Sequence, residues 1–162
     1  MTADGDEDFA VVAFREEGRW EVARLPDRLV GDLDGLVAAV RQQPGEGGTI
    51  GLVDIADEFF VAVRVCGDDV RILLSDVTAA VAWDLAVQVL DRLNVPVPKD
   101  DELEDVWPVG DLSIFADLGL DEMELGAVLA DEEAYADEML LAVARRLGFG
   151  EPLERVVDAA AR

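Results

Sequence analysis

The stretch DEMELGAVLADEEAYADEML, residues 121 to 140, carries eight carboxylates and no basic side chain, with apolar residues threaded through it at helical spacing. Four of these acids, Asp131, Glu132, Asp137 and Glu138, are the chain's candidate metal ligands, since carboxylates offer hard oxygen donors to Mg²⁺ or Ca²⁺. Their spacing is not that of an EF-hand, because the Asp-x-Asp-x-Asp-Gly run is missing. The same acids also suit solvated helix faces and first helical turns, where the helix dipole favours negative charge. A third reading makes them a docking surface for a basic protein: acids would steer the partner while Trp107, Phe115 and Tyr135 anchor it. The candidate partner-binding set is then Trp107, Phe115, Asp131, Glu132, Tyr135, Asp137 and Glu138. A fourth reading is mimicry of nucleic acid, in which the acids occupy the positive groove of an RNA-binding protein.

Catalytic options are narrow. There is no histidine and a single cysteine, Cys66, which removes Ser-His-Asp and Cys-His nucleophile systems and the His/Cys zinc set of nucleobase deaminases. No GxxxxGK[ST] or GxGxxG element is present to cradle a phosphate. The expectation is a protein with no catalytic residues and no cofactor, and a divalent-metal module or metal-dependent enzyme built on the four acids is the alternative. The formal charge of −24, from 37 acids against 13 bases, repels nucleic acid and anionic membranes. Partners should be proteins with a basic surface, and a second copy of the chain is also admitted. Cys66 is expected to be a small buried hydrophobe. The acidic start MTADGDEDF has no signal core, and the richest apolar run, VTAAVAWDLAVQVL, is interrupted by Asp84, so a soluble cytoplasmic protein is expected.

The elements that must position these residues follow from periodicity. FAVVAF (9–14) is apolar at both parities, as in a strand covered on both faces, whereas RWEVARL after Glu17-Gly18 alternates like an edge strand. Leu33, Leu36, Val37 and Val40 form one helical stripe, which Pro44 and the glycines at 45, 47 and 48 terminate. TIGLVDI, EFFVAVRV and DVRILLS read as three strands joined by Ala56-Asp57 and Gly67-Asp68. Asp76 is placed to cap a long helix reaching Leu93, with Val81, Leu85, Val89 and Leu93 recurring every four residues and Asn94 with Pro96 as the stop. The order β-β-α-β-β-β-α predicts an α+β fold with a five-stranded antiparallel sheet packed with helices. Longin-like and profilin-like domains share that order.

Val95-Pro-Val-Pro98 is stiff and extended. It divides the chain into an α+β sheet part (1–94), an acidic Pro-containing linker (95–110) and an acidic helical carboxy-terminal extension (111–162) expected to pack on the same core. Asp100 to Ala144 contains fifteen acids and no Lys or Arg. Asp121 or Asp117 is placed to cap a helix carrying Met123, Leu125, Val128 and Leu129, and a second helix carries Tyr135, Met139, Leu140, Val143 and Leu147. Gly148 suits the C′ position of that second helix, and Pro152 suits the first turn of a last one.

GDLSIFADLGL and DEEAYADEMLLAVARRLGF, with the acidic Pro-Val-Pro linker and the FAVVAFREEGRWEV opening, resemble the actinobacterial family of tRNA adenosine deaminase-associated proteins. The resemblance covers nearly the whole chain and is most specific over 110–120 and 135–149. Where the family often has proline between the Tyr and Asp of the second motif, this chain has Ala136. The resemblance implies a non-enzymatic accessory protein whose favoured partner is the enzyme that converts adenosine to inosine in tRNA.

Overall fold

A computed structural model describes residues 8–43, 48–99, 107–131 and 133–160. The helix-terminating residues at 44, 45 and 47, the linker positions 100–106 and Glu132 lie outside the described residues. Six strands form one sheet: β1 (Phe9–Glu16), β2 (Arg19–Arg24), β3 (Thr49–Ile55), β4 (Phe59–Cys66), β5 (Asp69–Leu74) and β6 (Val109–Gly110). Their spatial order is β2-β1-β3-β4-β5-β6, and every neighbouring pair is antiparallel. The helices are α1 (Leu33–Gln42), α2 (Asp84–Leu93), α3 (Glu122–Leu129), α4 (Ala136–Leu147) and α5 (Gly150–Ala160).

Because side chains alternate along a strand, the sheet serves two cores at once. Ala10, Val12, Val53, Ile55, Val61, Val63 and Leu74 face α1 and α2. Phe9, Val11, Ala13, Ile50, Leu52, Phe60, Ala62 and Leu73 face the opposite way, onto Phe115, Leu125, Leu140, Val143, Leu147 and Phe149. The both-parity apolar runs are thus the central strands, and β2, which alternates, is an edge. The acidic carboxy-terminal segment forms the third layer of a helix–sheet–helix sandwich. Its inner side is fully apolar, and truncating a buried anchor such as Phe115 or Phe149 would cost about 3 kcal/mol or more.

Local signals act much as their chemistry dictates. Asp32 caps α1 by accepting from the Gly35 N–H at 3.0 Å, and Leu33, Leu36, Val37 and Val40 are all buried. Asn94 and Gly148 end α2 and α4 in the left-handed conformation. Edge strand β2 is fastened by Trp20, whose ring lies 4.9 Å from that of Phe149 and receives the Arg15 guanidinium at 5.2 Å.

Two expectations change. The sheet has six strands rather than five: β6 lies within the stretch read as linker and pairs Val109 with Leu74 and Gly110 with Leu73. Two residues are too short a run for alternation to register. The long helix from Asp76 is instead a 3₁₀ turn, Val77–Val81, followed by α2, with Trp83 extended between them. Asp76 caps the turn, accepting from the Thr78 N–H at 2.9 Å. The tighter winding buries Val77, Ala79 and Ala80, leaves Val81 in solvent, and lets Trp83 pack on Phe59 at 6.1 Å.

Candidate functional site

The acidic face is assembled where α3 and α4 meet. Asp121 starts α3 by accepting from the Glu124 N–H at 2.8 Å, and Asp131 turns the chain after it by accepting from Glu133 N–H at 3.0 Å. Glu138 reaches back to the Tyr135 N–H at 2.9 Å, which fixes the entry into α4. Asp131 and Glu138 come together as the polar rim of a groove of about 350 Å³, whose floor is Ala127, Val128, Ala134, Met139 and Ala142. Tyr135 is 65% exposed beside it, and Met123, on α3, is 84% exposed.

The remaining candidates are placed differently. Phe115 is fully buried in the second core, so it is a packing residue and not a surface anchor. Trp107 is 38% exposed but stands apart, with its carbonyl accepting from the Val77 N–H at 2.9 Å on the turn that belongs to the opposite helix layer. Among the described residues, no group of three or more His, Cys, Asp or Glu side chains is arranged to hold a metal ion.

Asp137 is exposed, and its backbone leads to a feature that the sequence did not signal. Its N–H donates to Asp57 Oδ1 at 2.8 Å, and the Ala136 N–H donates to the Asp57 carbonyl at 3.3 Å. The β3–β4 turn therefore caps α4 from eighty residues away, satisfying donors that would otherwise be orphaned. Ala136 contributes a donor to Asp57 that a proline at this position would lack. Ala56 and Asp57 at the turn both have positive φ, 54° and 57°. They are held by donation from the Ala56 N–H to Asp8 Oδ1 at 2.7 Å and from the Asp57 N–H to Asp54 Oδ1 at 3.0 Å. Asp54 is itself wholly buried beneath this turn, and its Oδ2 has no hydrogen-bond partner. Burial, then the charges of Asp57 and Asp137, push its carboxyl up to about 8, so it is mostly protonated at neutral pH.

A larger cavity lies elsewhere. A cleft of about 790 Å³ opens at the far end of β4 and β5, and its lining includes Arg41, Arg64, Arg71, Cys66, Asp69 and Asp117. Arg64, although almost completely buried, donates to the Ile114 carbonyl at 2.9 Å and is paired through both amino groups with the Asp117 carboxylate. That guanidinium holds the Asp117 carboxyl below the usual carboxylate range. Arg71 is engaged by Asp69 at 3.1 Å and Asp111 at 3.7 Å. Arg64 and Arg71 thus staple the 111–118 segment to the sheet. An arginine inside VAVRVC was the only hint of this in the sequence. Cys66, expected to be buried, is exposed in this cleft, because it is the last residue of β4 and lies past the end of the covered sheet.

Both stretches that carried the family resemblance have structural roles. Over 110–120, Gly110 pairs on β5, Ile114 and Phe115 fill the core and Asp117 meets Arg64. Over 135–149, α4 docks on the Asp57 turn and Phe149 packs at a tilt on Trp20.

Comparison with known protein families matches residues 8–150 to the Rv3753c-like tRNA adenosine deaminase-associated proteins. Protein Rv3753c of Mycobacterium tuberculosis is 40% identical over 157 residues, covering 96% of this chain and 91% of the relative. No solved structure matches the chain.

Proposed function

This chain belongs to the Rv3753c-like tRNA adenosine deaminase-associated protein family, and from that premise we propose that it is a non-catalytic, cytoplasmic accessory protein that docks a tRNA adenosine deaminase through the α3–α4 face. The observation that carries this reading is the company kept by Tyr135 and Met123. These two strongly exposed apolar side chains lie in a layer where Asp121, Glu122, Asp131, Glu133, Asp137 and Glu138 are exposed and no Lys or Arg occurs before Arg145. Large apolar side chains are normally the anchors of an interface, and a one-sided charge around them selects a basic partner and speeds encounter. Among the described residues, no helix is long and apolar enough to cross a membrane.

The test is calorimetry or pull-down of the purified chain with the cognate deaminase at about 50 and about 300 mM salt, because screening shortens electrostatic reach across that range. Affinity should fall about tenfold or more with salt, and tRNA alone should not bind. The triple substitution D131N/D137N/E138Q removes charge while keeping the oxygen acceptors that serve Glu133 and Tyr135. It should slow association while circular dichroism stays unchanged. Absence of binding at the lower salt, or tight binding to tRNA itself, would sink the proposal.

A further inference from the structure

Asp54 occupies a position in which a carboxylate is hard to keep ionised. It follows Ile50 and Leu52 on the face of β3 that packs against the carboxy-terminal helices, and its cross-strand neighbours are Phe9 and Phe60. Its only described partner is the Asp57 N–H, and Oδ2 is buried with nothing to bond. The charged groups acting on it are all acids, one from each element around it: Asp57 in the turn, Asp137 on α4 and Asp8 ahead of β1. Among the described residues, no cation offsets them. The turn directly above it is the one that receives the first two N–H groups of α4. The same turn holds two non-glycine residues in the left-handed region, a conformation that persists only while its surroundings impose it.

We infer that Asp54 is a proton-operated latch: while protonated it lets the β3–β4 turn sit on the amino terminus of α4, and on ionisation it displaces that turn and releases the first turn of α4. The mechanism is charge burial. An anion at Oδ2 would have neither solvent nor a counter-ion, and it would face Asp57 and Asp137 across the contact they make. The least costly relief is for the turn to lift and admit water, which withdraws Asp57 from the N–H groups of Ala136 and Asp137. Tyr135, Asp137 and Glu138 sit on that turn of helix, so the latch sets the geometry of one edge of the docking face. As a regulator of docking it rests on the function proposed above, whereas the latch itself is a property of the free protein.

The test therefore uses the free, full-length chain. Nuclear magnetic resonance of carboxyl-labelled protein from pH 6 to 9 would follow three signals: the Asp54 carboxyl, the amide protection of Ala136 and Asp137 corrected for the intrinsic rise of exchange with pH, and the ring of Tyr135, the chain's single tyrosine. All three should share one midpoint near 8, with amide protection falling at least tenfold across it. In D54N the transition in the amides and the ring should vanish while the helix signals remain. If D54N does not fold, the wild-type titration still decides the matter. An Asp54 midpoint below about pH 6, or amides and ring that stay unchanged through the Asp54 transition, would overturn the inference. A failure to bind the deaminase would leave these signals untouched, so the two ideas fail separately.

Discussion

Asp54 and Asp117 both adjoin the carboxy-terminal layer, yet their surroundings pull their carboxyls in opposite directions. Asp54 gives up its proton near 4 in the unfolded chain and holds it to about 8 in the fold. The folded state thus binds the extra proton between those values, and stability falls as pH rises through that window before levelling off. Relative to wild type, D54N should gain stability as pH climbs from about 4 to about 8, reaching on the order of 5 kcal/mol in urea titrations. A flat difference would mean that Asp54 is ionised in the fold. Asp117 is the reverse case, with its carboxyl held down by Arg64, so its contribution is present above the unfolded value and is lost as pH falls through the folded one. D117N should cost about 2 kcal/mol at neutral pH, the scale of a hydrogen bond to a charged group, and less in acid. Neither role is legible in the sequence. Arg64 and Asp117 are 53 positions apart, and the TIGLVDI pattern gives no reason to suspect that its acid is buried without a cation. Caps were legible, as with Asp121 and Gly148, because their chemistry is completed within four residues.

Among the elements, the strands and the two amphipathic stripes of α1 and α4 follow from periodicity, since one pattern decides which side chains are buried. What periodicity misses is where an element is interrupted or added by contacts distant in sequence. The 3₁₀ turn before α2 exists because Trp83 must reach Phe59, and β6 exists because β5 has a free edge to fill. The second case rests on Gly110, whose φ is +116° and whose position would set an added Cβ 2.2 Å from the Ile72 carbonyl oxygen. G110A should therefore cost about 2 kcal/mol or more and detach β6, seen as lost amide protection at Asp111, whose N–H bonds the Ile72 carbonyl at 3.0 Å, with the rest of the sheet intact. Full retention of that protection would show that the close approach is not needed.

At the scale of the molecule, 37 acids against 13 bases on one three-layered body should make low ionic strength costly. The melting temperature should rise by several degrees between about 20 and about 300 mM sodium chloride, and no rise would mean that the arginines already neutralise the acids locally. The two-faced sheet has a further consequence, which concerns synthesis. Every strand but β6, and both helices of the first layer, lie before residue 94, so the ribosome delivers one finished core together with a sheet whose other face, Phe9, Val11, Ile50, Leu52, Phe60 and Leu73, is still bare. That face stays naked until α3, α4 and α5 emerge. The nascent chain passes through a stage that invites chaperone capture or sticking to its neighbours, and the acidity of the last segment keeps its own apolar stripe from joining wrong partners while it waits to close the fold.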